Sequence, residues 1–262
     1  GQGMDLGIRG RKALLTGASR GIGRACALAL AREGVEVTLV ARTAGPLEDA
    51  AAAIRQQTGV AVRTVAADIT QPEGRAAALA ACPAPDILLN NAGGCPPGDF
   101  RNWTRADWIA ALDLMMLSPI EMIRATVDGM MARGFGRIVS ITSRSVKIPQ
   151  AELGLSNGAR SGLVGFTAGI ARQTVAQGVT INNLLPGIID SEAQRDHVRA
   201  LAAETGEAFD VLWQARAAAN PAGRFGRPEE IGALCAFLCS AHAGFITGQN
   251  LLVDGGSYPG TF

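Results

Sequence analysis

The chain is poor in side chains that usually carry acid–base chemistry: its 262 residues include one tyrosine, Tyr258, and two histidines. Lysine occurs only at positions 12 and 147, so the basic residues are almost all arginine, and the arginines are scattered. A net charge of +1 with 5% aromatic residues leaves no basic stripe, which argues against a nucleic-acid partner. No apolar run reaches membrane-spanning length and no signal peptide precedes the first strand-like run, so a cytoplasmic protein without a membrane partner is expected. The five cysteines, Cys26, Cys82, Cys95, Cys235 and Cys239, are odd in number and lack zinc-ligand spacing, so no metal site is expected. Cys235 and Cys239 share a helix face and read as packing residues in a reducing compartment. Gly1-Gln2-Gly3 ahead of Met4 reads as an expression remnant, which leaves 4–262 as the domain.

What is present is an alternation. Strand-like runs at 12–16, 36–40, 61–66, 86–90, 137–142, 180–185 and 249–253 interleave with helical patterns at 21–33, 44–57, 72–81, 105–133, 154–177 and 228–241. This pattern predicts an α/β fold, a parallel sheet covered by helices on both faces. No linker, repeat or low-complexity tract divides the chain, so one domain large enough to bury a real core is expected. The exception is 191–221, an Ala-rich, partly helical insertion before the last helix. Insertions at the carboxyl edge of such sheets commonly act as substrate lids.

The chain is organised around Thr16-Gly17-Ala18-Ser19-Arg20-Gly21-Ile22-Gly23, which joins the first strand to the first helix. Gly17 permits a tight turn, and Gly21 and Gly23 let backbone approach a ligand and the sheet. Ser19 and Ile22 then lie beside the free N–H groups and the positive dipole end of the helix, an arrangement suited to phosphate.

Four further motifs follow: Asn90-Asn91-Ala92-Gly93, Arg137-Ile138-Val139-Ser140-Ile141-Thr142-Ser143, Pro186-Gly187, and Arg224-Phe225-Gly226-Arg227-Pro228-Glu229-Glu230. Ile246-Thr247-Gly248-Gln249 and Val253-Asp254-Gly255-Gly256 close the chain. With these, nearly the whole sequence resembles the short-chain dehydrogenase/reductase family, particularly its 3-oxoacyl-carrier-protein-reductase-like members. The resemblance implies a Rossmann-type doubly wound seven-stranded parallel sheet, a nicotinamide nucleotide across its switch point, and a homodimer or homotetramer. It also implies nucleotide contacts from Asp68 and Ile69 after the third strand, from Asn91, Ala92 and Gly93, and from Pro186, Gly187 and Ile189 after the sixth.

The second strand ends Val40-Ala41-Arg42, with no carboxylate to accept from ribose hydroxyls. Arg20 and Arg42 suit a 2′-phosphate instead, so NADP(H) is the expected cofactor.

The family's chemistry rests on an asparagine, a serine, a tyrosine and a lysine. In the register of this chain the serine is Ser143, while the tyrosine and lysine positions fall on Ser156 and Arg160 of Ser156-Asn157-Gly158-Ala159-Arg160. The flanking 161–167 segment leaves that register little freedom, and the asparagine position falls on Met115. A serine hydroxyl is a far weaker acid than a phenol, and arginine keeps its proton near neutrality. Arg160 can still hold the nicotinamide ribose and present fixed positive charge to an oxyanion.

Lys147 and Glu152, between Ser143 and Ser156, are candidate replacements: Lys147 as a carboxylate anchor or proton donor, Glu152 as a partner for a cationic substrate. Tyr258 reads as an ordered tail residue, His197 as surface and Cys95 as packing. Phe209, Leu212 and Trp213 form the apolar face of a lid helix, toward substrate or core. Gly154, Gly158 and Gly162, four apart on one helix, suggest close approach of another backbone, in the family that of a second subunit. The expected function is an NADP(H)-dependent reduction of a small-molecule imine, iminium or activated carbonyl. The rival readings are a non-redox lyase, hydratase or isomerase, and an NADP(H)-binding sensor.

Overall fold

Runs of branched and aliphatic residues become the strands of a seven-stranded sheet in the computed structural model, which describes residues 2–262; Gly1 of the expected remnant lies outside them. The strands are β1 (Lys12–Thr16), β2 (Glu36–Ala41), β3 (Val62–Ala66), β4 (Ile87–Asn90), β5 (Gly136–Ile141), β6 (Val179–Pro186) and β7 (Asn250–Val253). All pair in parallel, in the order β3-β2-β1-β4-β5-β6-β7. The central strands β4, β5 and β6 are buried along their whole length, polar residues such as Arg137, Asn182 and Asn183 included. Strand order reverses between β1 and β4, which opens a crevice at their carboxyl ends.

The helices are α1 (Gly21–Arg32), α2 (Ala44–Thr58), α3 (Pro72–Ala81), α4 (Arg105–Leu112), α5 (Ser118–Arg133), α6 (Gly154–Thr174), α7 (Glu192–Thr205), α8 (Phe209–Ala219) and α9 (Pro228–Leu238). One face of the sheet packs against α1, α2 and α9 through Leu15, Leu30, Leu39, Ile54 and Ile231. The other packs through Leu14, Met122, Ile138, Ala171 and Ile181. Cys26, Cys235 and Cys239 are fully buried in the first of these cores. Among the described residues no helix is long and apolar enough to cross a membrane.

Two expectations need correction and one is refined. The helix expected over 105–133 runs without a break, but a π-helical turn, Asp113–Leu117, lies within it between α4 and α5. Pro119 is the cause, because it has no N–H for the carbonyl of Met115 and its ring crowds that carbonyl. The glycine spacing on α6 has an explanation within the chain. A Cβ on Gly154 would lie 2.7 Å from Trp103, on Gly158 3.1 Å from Trp108, and on Gly162 2.4 Å from the Met116 sulfur. Side chains of the same chain, not a second backbone, fill those notches. The insertion is more regular than expected, being largely two helices, α7 and α8. Trp213 stacks on Phe225 with ring centroids 3.8 Å apart and on Phe209 at 5.5 Å. Its apolar face therefore meets a small core with Ile188, Ala217 and Phe225.

Candidate active site

The β1–α1 turn is shaped by contacts that leave no room for side chains. Gly17 has φ +57°, and a Cβ there would lie 2.4 Å from the Asn91 carbonyl oxygen. A Cβ on Gly23 would lie 2.0 Å from the Gly17 carbonyl oxygen. Asn91 holds the turn to the end of β4: its Nδ2 donates to the Gly17 carbonyl at 3.0 Å, and its backbone N–H donates to Thr16 Oγ1 at 3.1 Å. Arg20 is the extended residue before α1, and no side chain caps the helix. Its first N–H groups therefore remain available to an anion.

At the end of β2, Arg42 is exposed, as is Arg20, and neither forms an ion pair among the described residues. Asp68 accepts from Thr70, through the backbone N–H at 2.9 Å and the hydroxyl at 2.7 Å. Those bonds hold its carboxyl below the usual range, with Arg42 adding a smaller contribution. Ile189, expected to border the nucleotide, is 4% exposed, and its side chain packs into the core against Gly226. Only its backbone can serve a ligand.

Arg160 and Met115 line a small cavity with Ile141 at the end of β5, and Ser143 follows that strand two residues on. Ser143 Oγ accepts from the Ser145 N–H at 3.1 Å, which leaves the hydroxyl proton free to donate. Met115 sits in the π-helical turn, 2% exposed, against Leu155 and Ala159. Arg160 is 8% exposed; its Nη1 donates to the Ile141 carbonyl at 3.2 Å, and it forms no ion pair among the described residues. Burial, the larger cause, pushes its pKa down to about 10, while Cys95 opposes the shift. The residue still carries its charge at neutral pH. Because this value lies below the ordinary guanidinium range, the destabilisation is fully present below about pH 10 and is relieved only above it. Burying this charge is costly for a residue with no structural partner beyond one carbonyl.

Ser156 lies beside it, 7% exposed, and its Oγ accepts from the Cys95 N–H at 3.4 Å. A Cβ on Gly94 would be 3.8 Å from both Ser156 Oγ and Arg160 Nη2. The Gly93–Cys95 loop thus covers the pair. Sequence reasoning did not anticipate that cover.

With this geometry in view, comparison with known proteins is decisive. A family model described as enoyl-(acyl carrier protein) reductase matches residues 17–258. The 3-oxoacyl-[acyl-carrier-protein] reductase of Vibrio cholerae is 35% identical over 257 residues, 97% of this chain and 99% of that protein. The chain belongs to the short-chain dehydrogenase/reductase family. An acetoacetyl-CoA reductase of Shinella zoogloeoides is 36% identical over 95% of this chain and 98% of its own length. Among solved structures, an L-sorbose reductase from Gluconobacter frateurii, complexed with NADPH and L-sorbose, superposes with a TM-score of 0.93 at 31% identity. That match covers 98% of this chain and 100% of the other. The family's relatives include NADPH-dependent reductases, and the sheet order here is that of their doubly wound fold.

Of the remaining candidates, Lys147 and Glu152 lie along the segment between β5 and α6. Lys147 Nζ sits over the Tyr258 ring, 5.6 Å from its centroid. Tyr258 is an ordered tail residue: its N–H donates to Asp254 Oδ2 at 2.9 Å and its hydroxyl donates to the Phe262 carbonyl. Glu152 is exposed and lies within Coulombic reach of His197. His197 is half-buried and is held below its usual pKa by burial and then by Arg216. Cys95 packs against Trp103, Trp108 and Met115, as expected, and burial raises its thiol pKa. Sequence reasoning passed over Arg144 and Arg216, isolated arginines that belong to no motif.

Proposed function

We propose that the protein is an NADPH-dependent reductase in which Ser156 and Arg160 replace the phenol and ammonium of its family. Its substrate is then an imine, an iminium ion or an activated carbonyl. The observation that carries the reading is Arg160, a buried guanidinium without a carboxylate at the carboxyl edge of β5. A fixed cation there suits an oxyanion or a ribose hydroxyl and cannot act as an acid near neutrality.

The residues present fit the nucleotide. Gly17 and Gly23 leave a cradle that a Cβ would fill, α1 offers uncapped N–H groups, and Arg20 and Arg42 stand unpaired where a 2′-phosphate is recognised. When bound, the reduced nicotinamide supplies the hydride equivalent. Asn91, Ala92, Gly93, Pro186 and Gly187 would border it, and Ser143 would orient the reacting substrate atom through its free hydroxyl proton. Positioned acid catalysis contributes about 10²–10⁴-fold, so its absence weighs against unactivated ketones. A substrate already carrying positive charge needs no proton at that step, which favours an iminium. The 191–221 insertion serves in this reading as the lid.

The test is titration with NADPH and NADH, followed by turnover on cyclic imines and activated ketones. NADPH is expected to bind at least tenfold more tightly, and Arg42→Ala to remove about 10–100-fold of that preference, the value of one charge-assisted contact to phosphate. Equal affinity for the two nucleotides in the parent protein would sink the 2′-phosphate assignment. Tight binding with no oxidation of any substrate would favour a sensor.

We also propose a homodimer or homotetramer. Gly165 and Gly169 on α6 face open space, each costing about 1 kcal/mol relative to alanine for no gain within the chain. Ile109 and Leu117, 44% and 43% exposed, lie on α4 and the π-helical turn, both packed on α6. Light scattering should report two or four chains; a monomer overturns the proposal.

A further inference from the structure

The chemistry above leaves a second set of cations unused. Arg216 is carried on α8, whose Trp213 and Ala217 are fixed in the small core beneath the insertion. Its Nε is buried with no hydrogen-bond partner, and it forms no ion pair among the described residues. Arg144, one residue past Ser143, lies within Coulombic reach and adds to the effect of burial in lowering the pKa of Arg216. Arg144 Nη1 donates to Ser257 Oγ at 3.4 Å, a neutral partner. Lys147, three residues on, lies over the Tyr258 ring. Two carboxylates stand nearby, and neither pairs with Arg216. Asp254 accepts from Gly256, Ser257 and Tyr258 and lies within Coulombic reach of Arg144, and Glu152 lies toward His197.

Like charges around an orphan buried N–H are unfavourable unless something negative completes them. Arginine forks present paired donors that match a carboxylate.

We propose that Arg216, Arg144 and Lys147 form an anion subsite of the substrate cleft, and that the substrate carries a carboxylate beside its reducible carbon: an oxo acid or the corresponding imino acid. The proposal rests on the reductase reading, and its test separates the two. Calorimetry with phenylglyoxylate, its primary amide and phosphopantetheine, on protein saturated with NADP⁺, measures the subsite; titration with NADPH alone measures the nucleotide site. Phenylglyoxylate is expected to bind at least tenfold more tightly than the amide, and Arg216→Gln to erase that difference. Arg199→Gln, on the outer face of α7 with Glu192 and Asp196, should preserve the preference. Circular dichroism establishes that both variants fold. Equal binding of acid and amide, no acid binding by protein that binds NADPH, or a preference that survives Arg216→Gln each overturns the subsite. Phosphopantetheine bound through Arg216 in place of the acid overturns the carboxylate assignment. Failure to bind NADPH, with the acid preference intact without nucleotide, would instead overturn the reductase reading.

Discussion

Gly23→Ala is expected to abolish nicotinamide-nucleotide binding and to lower stability by about 3 kcal/mol, a fall in Tm of roughly 6–12 °C for a chain of this size. The new Cβ would lie 2.0 Å from the Gly17 carbonyl oxygen and 2.8 Å from Asn91 Nδ2. Neither atom can give way cheaply. The carbonyl belongs to a backbone with φ +57°, and the amide already donates to it. The amino end of α1 must retreat instead, yet α1 is held from behind by α9, where a Cβ on Gly232 would lie 2.7 Å from the Ala25 carbonyl oxygen. Alanine gains about 1 kcal/mol in helix propensity, too little to offset the clash. Gly21→Ala is the contrast. Its Cβ would meet only Ser191 Cβ, at 3.9 Å, so the cost is the positive φ alone, about 1 kcal/mol. Thermal unfolding and NADPH titration of both variants separate collision from conformation. Parent-like affinity in Gly23→Ala would remove the turn from the nucleotide site.

That turn was legible because each glycine reports a local steric demand. The same holds for the strands, whose buried apolar runs announce a sheet covered on both faces. Legibility failed where the partner is distant in sequence. Gly154 and Gly158 signal close packing, but only the fold shows that Trp103 and Trp108 are what they accommodate. Trp213 reads as amphipathic from its own helix, while its stacking partner Phe225 lies beyond the end of α8. Pro119 widens the 105–133 helix into a π-helical turn, which the helical period, continuing on both sides, masks. At the site, the register places Ser156 and Arg160 one helical turn apart. Their burial under Gly94 and Cys95 is tertiary and leaves no periodic trace. Arg144 and Arg216 are far apart in sequence though within Coulombic reach, and in an arginine-rich chain neither stands out.

The Ser156→Tyr, Arg160→Lys double variant should raise reduction of an activated ketone by about 10²–10⁴-fold, the usual contribution of a positioned acid. In the proposed register this pair restores a phenol beside an ammonium. The cation favours the phenolate and draws the phenol's pKa down from about 10 toward the working pH. Lysine is the better partner, because a compact ammonium can reorient, whereas the Arg160 fork is anchored on the Ile141 carbonyl. Room must come from the covering loop. Its hold on Ser156 is one long bond from the Cys95 N–H, so a phenol displaces the 93–95 segment at the cost of about 1 kcal/mol. The pH profile provides a signature that packing changes would not mimic. Because the reaction needs the acid protonated, kcat/KM should fall above a new ionisation that is absent from the parent. Ser156→Phe with Arg160→Lys opens the same space without the hydroxyl and should gain nothing. A folded, nucleotide-binding double variant with the parent's rate and no new ionisation would place the proton-donor position elsewhere. Lys147 and Glu152 would then be the next residues to change, since both lie on the loop that carries Ser143.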